Sequence, residues 1–175
     1  MDFSWTIGWV VIGPWLLAGC GRSVTTAAPP VTNLIGSVPT KVQPKLPTIK
    51  VWLGSQELVT EVAATDMQIQ TGMMFRTNIT EMDGMLFILP YTQQASFWMK
   101  NCLVELSVAY IAPDGTIREI HDLHAGNTNP VLSASQDIRF ALEVSQGWFN
   151  RHQISTGMMV RTERGSLAET FLGQR

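Results

Sequence analysis

The chain has 175 residues, a formal charge of −2 at pH 7 and two cysteines. This length suits one domain with a single hydrophobic core. The near-neutral charge, without a run of Lys or Arg, argues against a nucleic-acid-binding surface, and we expect no nucleic acid among its partners.

The chain begins with a short apolar segment that ends in a cysteine. Residues 5–17 are almost uninterrupted apolar sequence, but a helix needs about 20 apolar residues to cross a bilayer core. The end of the segment, Leu17-Ala18-Gly19-Cys20, resembles the lipobox of bacterial lipoproteins, in which a peptidase cuts before the cysteine and the sulfur carries a diacylglyceryl group. The resemblance implies that residues 1–19 are a signal peptide and that Cys20 is lipidated. No Lys or Arg precedes the segment, unlike in a typical signal peptide, and the alternative is a buried N-terminal helix or an uncleaved anchor.

A proline-rich segment follows this cysteine. Residues 20–48 contain much Pro, Thr, Val and Ala without apolar periodicity, so we expect an extended tether. The protein is then anchored to a membrane through lipid at Cys20, in the cell envelope, and faces the periplasm or the exterior. Gly21 replaces the Asp of an inner-membrane retention signal, which favours the outer membrane if the organism has two. Cys102 has no disulfide partner in this arrangement, and we expect it to be buried.

The predicted elements of residues 49–163 are mostly short strands. Two β-prone runs at 49–53 and 57–62 predict an antiparallel hairpin. Thr65 stands three residues before Gln68, the spacing of a capping box, which predicts a short helix over 66–71. Further strands are predicted at residues 84–89, 96–101, 106–111, 116–123, 139–144 and 157–161, with one or two helical turns over 146–152. This pattern predicts a mainly β fold, a compact antiparallel β-sandwich or partly closed barrel with one or two short helices, followed by a C-terminal tail at 164–175.

Five motifs occur in the same order as in a known family. They are the capped helix leading into Gly72-Met73-Met74-Phe75-Arg76, the strand Gly84-Met85-Leu86-Phe87, the strand Phe97-Trp98-Met99-Lys100-Asn101, the turn Pro113-Asp114-Gly115, and Leu142-Glu143-Val144 before Gly147-Trp148-Phe149. On these motifs the chain resembles the prokaryotic family called domain of unknown function 192, or uncharacterised ACR. The resemblance implies a compact, mainly β domain, often secreted or tethered, without an established activity. A Pro and an Asp that are common in the family are missing at Glu105 and Ser107, so we expect no role built on that Asp.

Charged and aromatic residues of the Phe-Trp-Met-Lys-Asn strand are candidate binding residues. Alternate residues of a strand share a face, so Trp98 and Lys100 are predicted to point the same way. Together with Arg76 and Asn101 they form the predicted site for an unidentified small ligand or envelope protein. The alternative is that Trp98 packs under a loop with Lys100 lying along it. Arg76 is also placed to form an ion pair with Asp83 across the connecting loop.

The sequence contains no nucleophile elbow, phosphate loop or dinucleotide fingerprint. His121 and His124 lie three residues apart on a predicted strand and face opposite sides, so we expect no metal site, and nothing indicates a cofactor. The favoured function is a lipid-anchored binding or interaction module. The alternative is a small envelope enzyme whose polar cluster is drawn from Arg76, Asp83, Lys100, Glu119, His121 and Glu143.

Overall fold

The computed structural model describes residues 38–173, which form ten strands and three short helices. The strands are β1 (Thr48–Leu53), β2 (Gln56–Ala63), β3 (Asp83–Gln93), β4 (Ser96–Phe97), β5 (Leu106–Ile111), β6 (Ile117–Leu123), β7 (Val131–Leu132), β8 (Ile138–Ser145), β9 (Val160–Thr162) and β10 (Gly165–Ser166), and the helices are α1 (Asp66–Thr71), α2 (Trp148–Arg151) and α3 (Leu167–Phe171). The predicted mainly β fold is confirmed. The predicted signal peptide, Cys20 and the first part of the predicted tether lie outside the described residues.

Eight strands form one sheet in the order β10-β9-β1-β2-β3-β8-β5-β6. Its neighbours are antiparallel except β2 and β3, which pair in parallel because the chain crosses over through α1 between them. Backbone hydrogen bonds also connect the segments beside β6 and β9, at opposite ends of the strand order. Ile117 N donates to Met158 O, and Val160 N donates to Gly115 O, both at 2.9 Å. The sheet therefore curls towards closure, which confirms the predicted partly closed barrel.

The curled sheet is buried on both faces, and β5 is buried at every position. One set of side chains, here called the inner core, comes from strands all round the sheet and includes Leu53, Leu86 and Val160. The opposite set, here called the outer core, lies on strands β2, β3, β8, β5 and β6 and includes Met85 and Val108. The helices α2 and α3 close the inner core, whereas α1 packs on the outer core.

The helix α1 and the turn at its end pack over the outer core. Thr65 Oγ1 accepts a hydrogen bond from Gln68 N at 3.4 Å, and Gln68 Oε1 accepts one from Thr65 N at 3.0 Å, which confirms the predicted capping box of α1. Gly72 ends this helix with a φ of 47°, and a Cβ there would lie 3.3 Å from the ring of Phe87. Glycine thus allows the chain to turn tightly against β3.

The strand that was predicted at residues 96–101 ends at Phe97, so this prediction is wrong beyond that residue. Cys102 N donates to Met99 O at 3.1 Å, and Asn101 has a φ of 60°, so the chain turns instead of continuing as a strand. The apolar alternation that motivated the prediction is real, because Phe97 and Met99 are both buried in the outer core. A turn produces this burial as well as a strand does.

Residues before and after the predicted β domain also pack against the sheet. Leu46 is buried in the outer core, and Gln43 Nε2 donates to Gly72 O at 2.8 Å. The helix α3 begins with a capping box at Ser166 and buries Leu167 in the inner core. The folded unit thus begins before residue 49 and continues beyond residue 163. No helix within residues 38–173 has the length and apolar character needed to cross a membrane.

Candidate functional site

A cavity of about 340 Å³ lies between α1, β3 and the segment that contains β4. Its wall is mostly apolar and includes Met73, Met74, Phe87, Leu89, Ala95 and Phe97. The exposed side chains of Asp66, Gln70, Gln94 and Trp98 form its rim. Small-molecule sites in proteins have volumes of roughly 300–1,000 Å³ and are lined mainly by apolar groups with a few polar ones, so this cavity has the size and character of a ligand site.

A buried glutamate lines the cavity. Glu143 stands on β8, opposite Met85 of β3 and Val108 of β5, which both belong to the outer core. Cross-strand partners share a face of the sheet, so the Glu143 side chain also points towards the outer core. It is 4% exposed, and no hydrogen bond to its carboxyl is found within residues 38–173. Glu143 is thus a buried residue whose carboxyl borders the cavity and has no protein partner among the described residues.

Burial controls the ionisation of this carboxyl. Loss of hydration raises the pKa of Glu143 to about 8, against a smaller lowering effect of the Arg76 charge. At pH 7 the carboxyl is therefore mostly protonated, with one O–H donor and acceptor capacity on both oxygens. A buried polar group without a partner destabilises a fold, so the cavity is a position where water or a ligand can supply the missing hydrogen bond.

Arg76 forms an ion pair with Glu61 of β2. Its Nη1 and Nη2 donate to Glu61 Oε1 and Oε2 at 2.7 and 2.8 Å, and Leu46 N donates to Glu61 Oε2 at 2.8 Å. Burial alone would raise the pKa of Glu61, but the bonds from Arg76 and Leu46 lower it overall. The predicted pairing of Arg76 with Asp83 is wrong, since Asp83 accepts from Thr80 N at 2.8 Å and holds a local turn.

The other three predicted binding residues, Trp98, Lys100 and Asn101, do not lie together in one site. Trp98 lies on the rim of the cavity and is 42% exposed. The Nζ of Lys100 lies 5.2 Å from the centre of the Trp98 ring. The two side chains thus lie close together although the strand that was predicted to align them ends at Phe97. Asn101 O accepts a hydrogen bond from Phe75 N at 2.8 Å and joins two segments that cover the outer core. Of the four predicted binding residues, Trp98 is the one that lines the cavity.

Glu119 and His121 hold a loop. Burial alone would raise the pKa of Glu119, but bonds from Ala134 N at 3.0 Å and Ser135 N at 2.8 Å, together with His121 Nε2 at 2.9 Å, hold it at about 2. The six residues of the predicted enzyme cluster do not share one site: Glu143 lines the cavity, with the Arg76 charge near enough to affect its pKa, whereas Glu119 and Asp83 hold local structure. Among residues 38–173, no three or more His, Cys, Asp and Glu side chains are grouped to hold a metal ion.

Cys102 lies in the wall of the cavity as a buried, unpaired cysteine, in agreement with the prediction that it is buried. Burial, with a smaller effect of the nearby Glu143, raises the pKa of its thiol to about 12. The thiolate is the nucleophilic form of cysteine, so this side chain is a poor nucleophile at neutral pH.

Sequence reasoning did not identify the cavity or the position of Glu143 within it. The available signal is the run Phe140-Ala141-Leu142-Glu143-Val144, in which one acidic residue interrupts an otherwise apolar strand. The other four residues of this run are all buried, so the carboxyl is also held in the interior. The acidic residue within an apolar strand is thus visible in the sequence, but the cavity beside it is formed by segments that are distant in the sequence.

Comparisons with known proteins cover most of the folded region. Residues 49–162 match the family model of DUF192, Uncharacterized ACR. No curated protein matches the chain. A solved structure from Sinorhizobium meliloti 1021, of a protein proposed to be a transcription regulator, has a TM-score of 0.65 and 28% identity, and the match covers 69% of this chain and 97% of that one. A protein of unknown function from Novosphingobium aromaticivorans DSM 12444 has a TM-score of 0.62 and 26% identity over 82% of this chain and 99% of that one. The fold and the family match together show that the chain belongs to the DUF192 family of uncharacterised ACR proteins.

Proposed function

We propose that the protein is a membrane-anchored binding module that takes a small, mostly apolar ligand into the cavity beneath α1. The observation that carries the proposal is the carboxyl of the buried residue Glu143, which lines a mostly apolar cavity of about 340 Å³ and receives no hydrogen bond from the part of the chain that the structure describes. Apolar walls give affinity through the hydrophobic effect, and one buried polar group gives orientation.

The cavity is a better candidate than the surface residues of the predicted site. Two nitrogens of Arg76 already donate to Glu61, and the Asn101 carbonyl holds a turn. The third nitrogen, Arg76 Nε, is buried without a partner among residues 38–173, but neither Arg76 nor Asn101 lines the cavity. Trp98 and Lys100 lie at or beside the rim, where they contact a ligand as it enters. The rim and the cavity thus form one continuous site that ends at Glu143.

The anchoring part of the proposal rests on the Leu17-Ala18-Gly19-Cys20 sequence and on the proline-rich segment after it. Lipid at Cys20 would hold the cavity near an envelope membrane, the outer one in a bacterium with two membranes. The test is Cys20→Ala, with Cys102→Ala as the matched control. We expect the first variant to accumulate as unprocessed precursor and the second to be processed as the wild type. Normal processing and membrane retention of Cys20→Ala would contradict the anchor and leave the cavity proposal unaffected.

The cavity is tested with hexan-1-ol as an uncharged apolar probe, added to the full-length chain in nonionic detergent micelles and followed by methyl NMR of methionine. Met73 and Met74 line the cavity, whereas Met158 packs against the inner core and Met159 is exposed. We expect saturable shifts of the Met73 and Met74 methyl signals while those of Met158 and Met159 stay unchanged. Equal shifts of all four, or no shift of Met73 and Met74, would contradict the proposal.

A pair of size variants provides an independent test. Ala95 is buried in the cavity wall, so Ala95→Leu places three additional carbons in the space that the probe would fill. Ala134→Leu adds the same carbons at an exposed position and serves as the control. Ala95→Leu should weaken hexan-1-ol binding at least tenfold and Ala134→Leu should leave it unchanged. Should Ala95→Leu fail to fold, the methionine signals of the wild type still decide the question.

A further inference from the structure

We propose that the ligand of this cavity is a hydrophobic monoamine, an apolar body with one ammonium group that pairs with the Glu143 carboxylate. The inference rests on the proposed binding function and adds the chemical class of the ligand.

The charges around the cavity favour a cation. Its charged lining residues, Asp66 at the rim and Glu143 inside, are both acidic. No Lys or Arg among the described residues lines the cavity. Lys100 lies over the ring of Trp98, and Arg76 is paired with Glu61 through two nitrogens, while its Nε is buried without a partner among residues 38–173. A ligand with a carboxylate or phosphate would therefore meet two acidic residues and no cation in the cavity lining, whereas an ammonium can pair with an acidic side chain in its ionised form.

The hydrogen-bonding capacity of Glu143 also fits an ammonium. The carboxyl receives no bond within residues 38–173, and an ammonium has three donors, which form shorter and stronger bonds to a carboxylate than a neutral group does. The ring of Phe87 meets that of Phe97 edge to face in the same wall, with 5.0 Å between centroids. Aromatic faces and methionine sulfur accept both an apolar body and a cation, so the wall does not oppose the charge.

Binding of the amine releases a proton near neutral pH. Because burial raises the pKa of Glu143 to about 8, the carboxyl is mostly protonated at pH 7. When the ammonium binds, the O–H bond of the carboxyl breaks, the proton passes to solvent, and the carboxylate pairs with the ammonium. The reaction consumes one protonated carboxyl and one ammonium, and it yields one ion pair and one proton, without any change of oxidation state.

Three of the titratable groups near Glu143 keep their protons near neutral pH. Burial raises the pKa values of both Cys102 and Tyr110, so they stay protonated, and Arg76 keeps its proton because Glu61 raises its pKa. The remaining titratable groups near it are Glu61, Asp66 and His121, of which Glu61 and His121 lie in the same cross-strand row as Glu143. Substitution of Glu143 separates its contribution from theirs.

The test compares three probes with the same chain length and different head groups: hexylamine, hexan-1-ol and hexanoate. Binding to the full-length chain is measured by methionine methyl NMR and by calorimetry in phosphate and in Tris, whose different ionisation heats report proton release. At pH 8 we expect hexylamine to bind at least tenfold more tightly than hexan-1-ol, and hexanoate to bind most weakly. The hexylamine affinity should fall by about tenfold per pH unit below the pKa of Glu143.

Two variants locate the ammonium. Glu143→Gln should remove the preference for hexylamine, its pH dependence and the proton release, while hexan-1-ol still binds. Asp66→Asn changes the other acidic lining residue and should alter hexylamine affinity less than threefold. An unchanged preference in Glu143→Gln, or its loss in Asp66→Asn, would overturn the inference.

The failures of the two proposals are distinguishable. If hexan-1-ol binds at Met73 and Met74 but hexylamine binds no better, the cavity is a ligand site and the amine inference is wrong. If none of the probes shifts Met73 and Met74, the proposed function is itself wrong.

Discussion

Replacing Glu143 by Gln should make the stability of the domain less dependent on pH. Burial raises the pKa of Glu143 from 4.5 to about 8 in the folded protein, whereas the unfolded chain keeps the ordinary value. The folded state therefore binds the proton more tightly. The ionisation penalty is absent below pH 4.5, grows as the pH rises and is complete above about pH 8, so the wild type loses stability across this window.

The magnitude follows from the same pKa difference. At about 1.36 kcal/mol per pKa unit, a change from 4.5 to about 8 corresponds to about 5 kcal/mol as an upper value. Because Glu143 borders a cavity, water entry or local relaxation lowers this cost, and we expect a loss of about 2–5 kcal/mol. Gln has the shape of the protonated acid and stays neutral, so its own desolvation does not vary with pH.

The assay is urea unfolding at pH 5, 6, 7, 8 and 9, followed by fluorescence of tryptophan, of which Trp148 is buried in the inner core. The free energy of unfolding of wild type should fall relative to that of Glu143→Gln as the pH rises. Glu57→Gln is the control, because Glu57 is an exposed partner of Lys50 and its loss should leave the pH profile of the wild type unchanged. Parallel profiles of wild type and Glu143→Gln would refute the reasoning, because they would show that Glu143 ionises in the folded protein as it does in water.

Three further predictions concern residues around the outer core. Arg76→Met leaves the Glu61 carboxylate buried without its ion-pair partner and should lower the free energy of unfolding in urea by about 3 kcal/mol. Adding Glu61→Gln in the same chain should restore part of this loss. A loss below about 1 kcal/mol in Arg76→Met would contradict the burial of the pair. Glu119→Gln should lose about 1–3 kcal/mol at pH 7, because hydrogen bonds hold the pKa of Glu119 at about 2 against the opposing effect of burial. The difference from wild type should shrink as the pH falls from 4.5 towards 2, and a difference that is the same at pH 3 and pH 7 would be inconsistent with this anchoring role. The Cys102 thiol should react with a disulfide reagent only as fast as the domain opens, and rapid labelling of Cys102 in the native protein, identified by peptide mass, would argue against its burial.

Local signals predicted much of the fold. The capping box at Thr65 and Gln68 identified α1, because the bonds that begin a short helix lie within four residues of each other. The hairpin of β1 and β2 followed in the same way from two β-prone runs around a short turn. The turn after Phe97 was missed since burial of alternate side chains occurs in turns as well as in strands. Its backbone is set by contacts with Phe75 and other distant residues, which no local pattern contains.

The site was less predictable than the fold. The partner of Arg76 was expected nearby in sequence, yet Glu61 is fifteen residues away, on β2, and meets Arg76 only in the folded chain. Glu143 was named among the polar residues, but its environment depends on α1, β3 and the β4 segment, which meet only in the folded chain. Side-chain identity was thus visible in the sequence, while burial and the cavity arise from long-range packing.

The most direct test of the central claim, that a small ligand binds in the cavity at Glu143, is a ¹³C NMR titration at pH 7. The side-chain carboxyl carbon of Glu143, assigned by its absence in Glu143→Gln, is followed in the full-length chain as hexan-1-ol is added. We expect its chemical shift to change saturably, at the same probe concentrations that shift the methyl signals of Met73 and Met74, because the probe supplies the missing hydrogen bond. A Glu143 carboxyl signal that does not respond at saturating hexan-1-ol would contradict the claim.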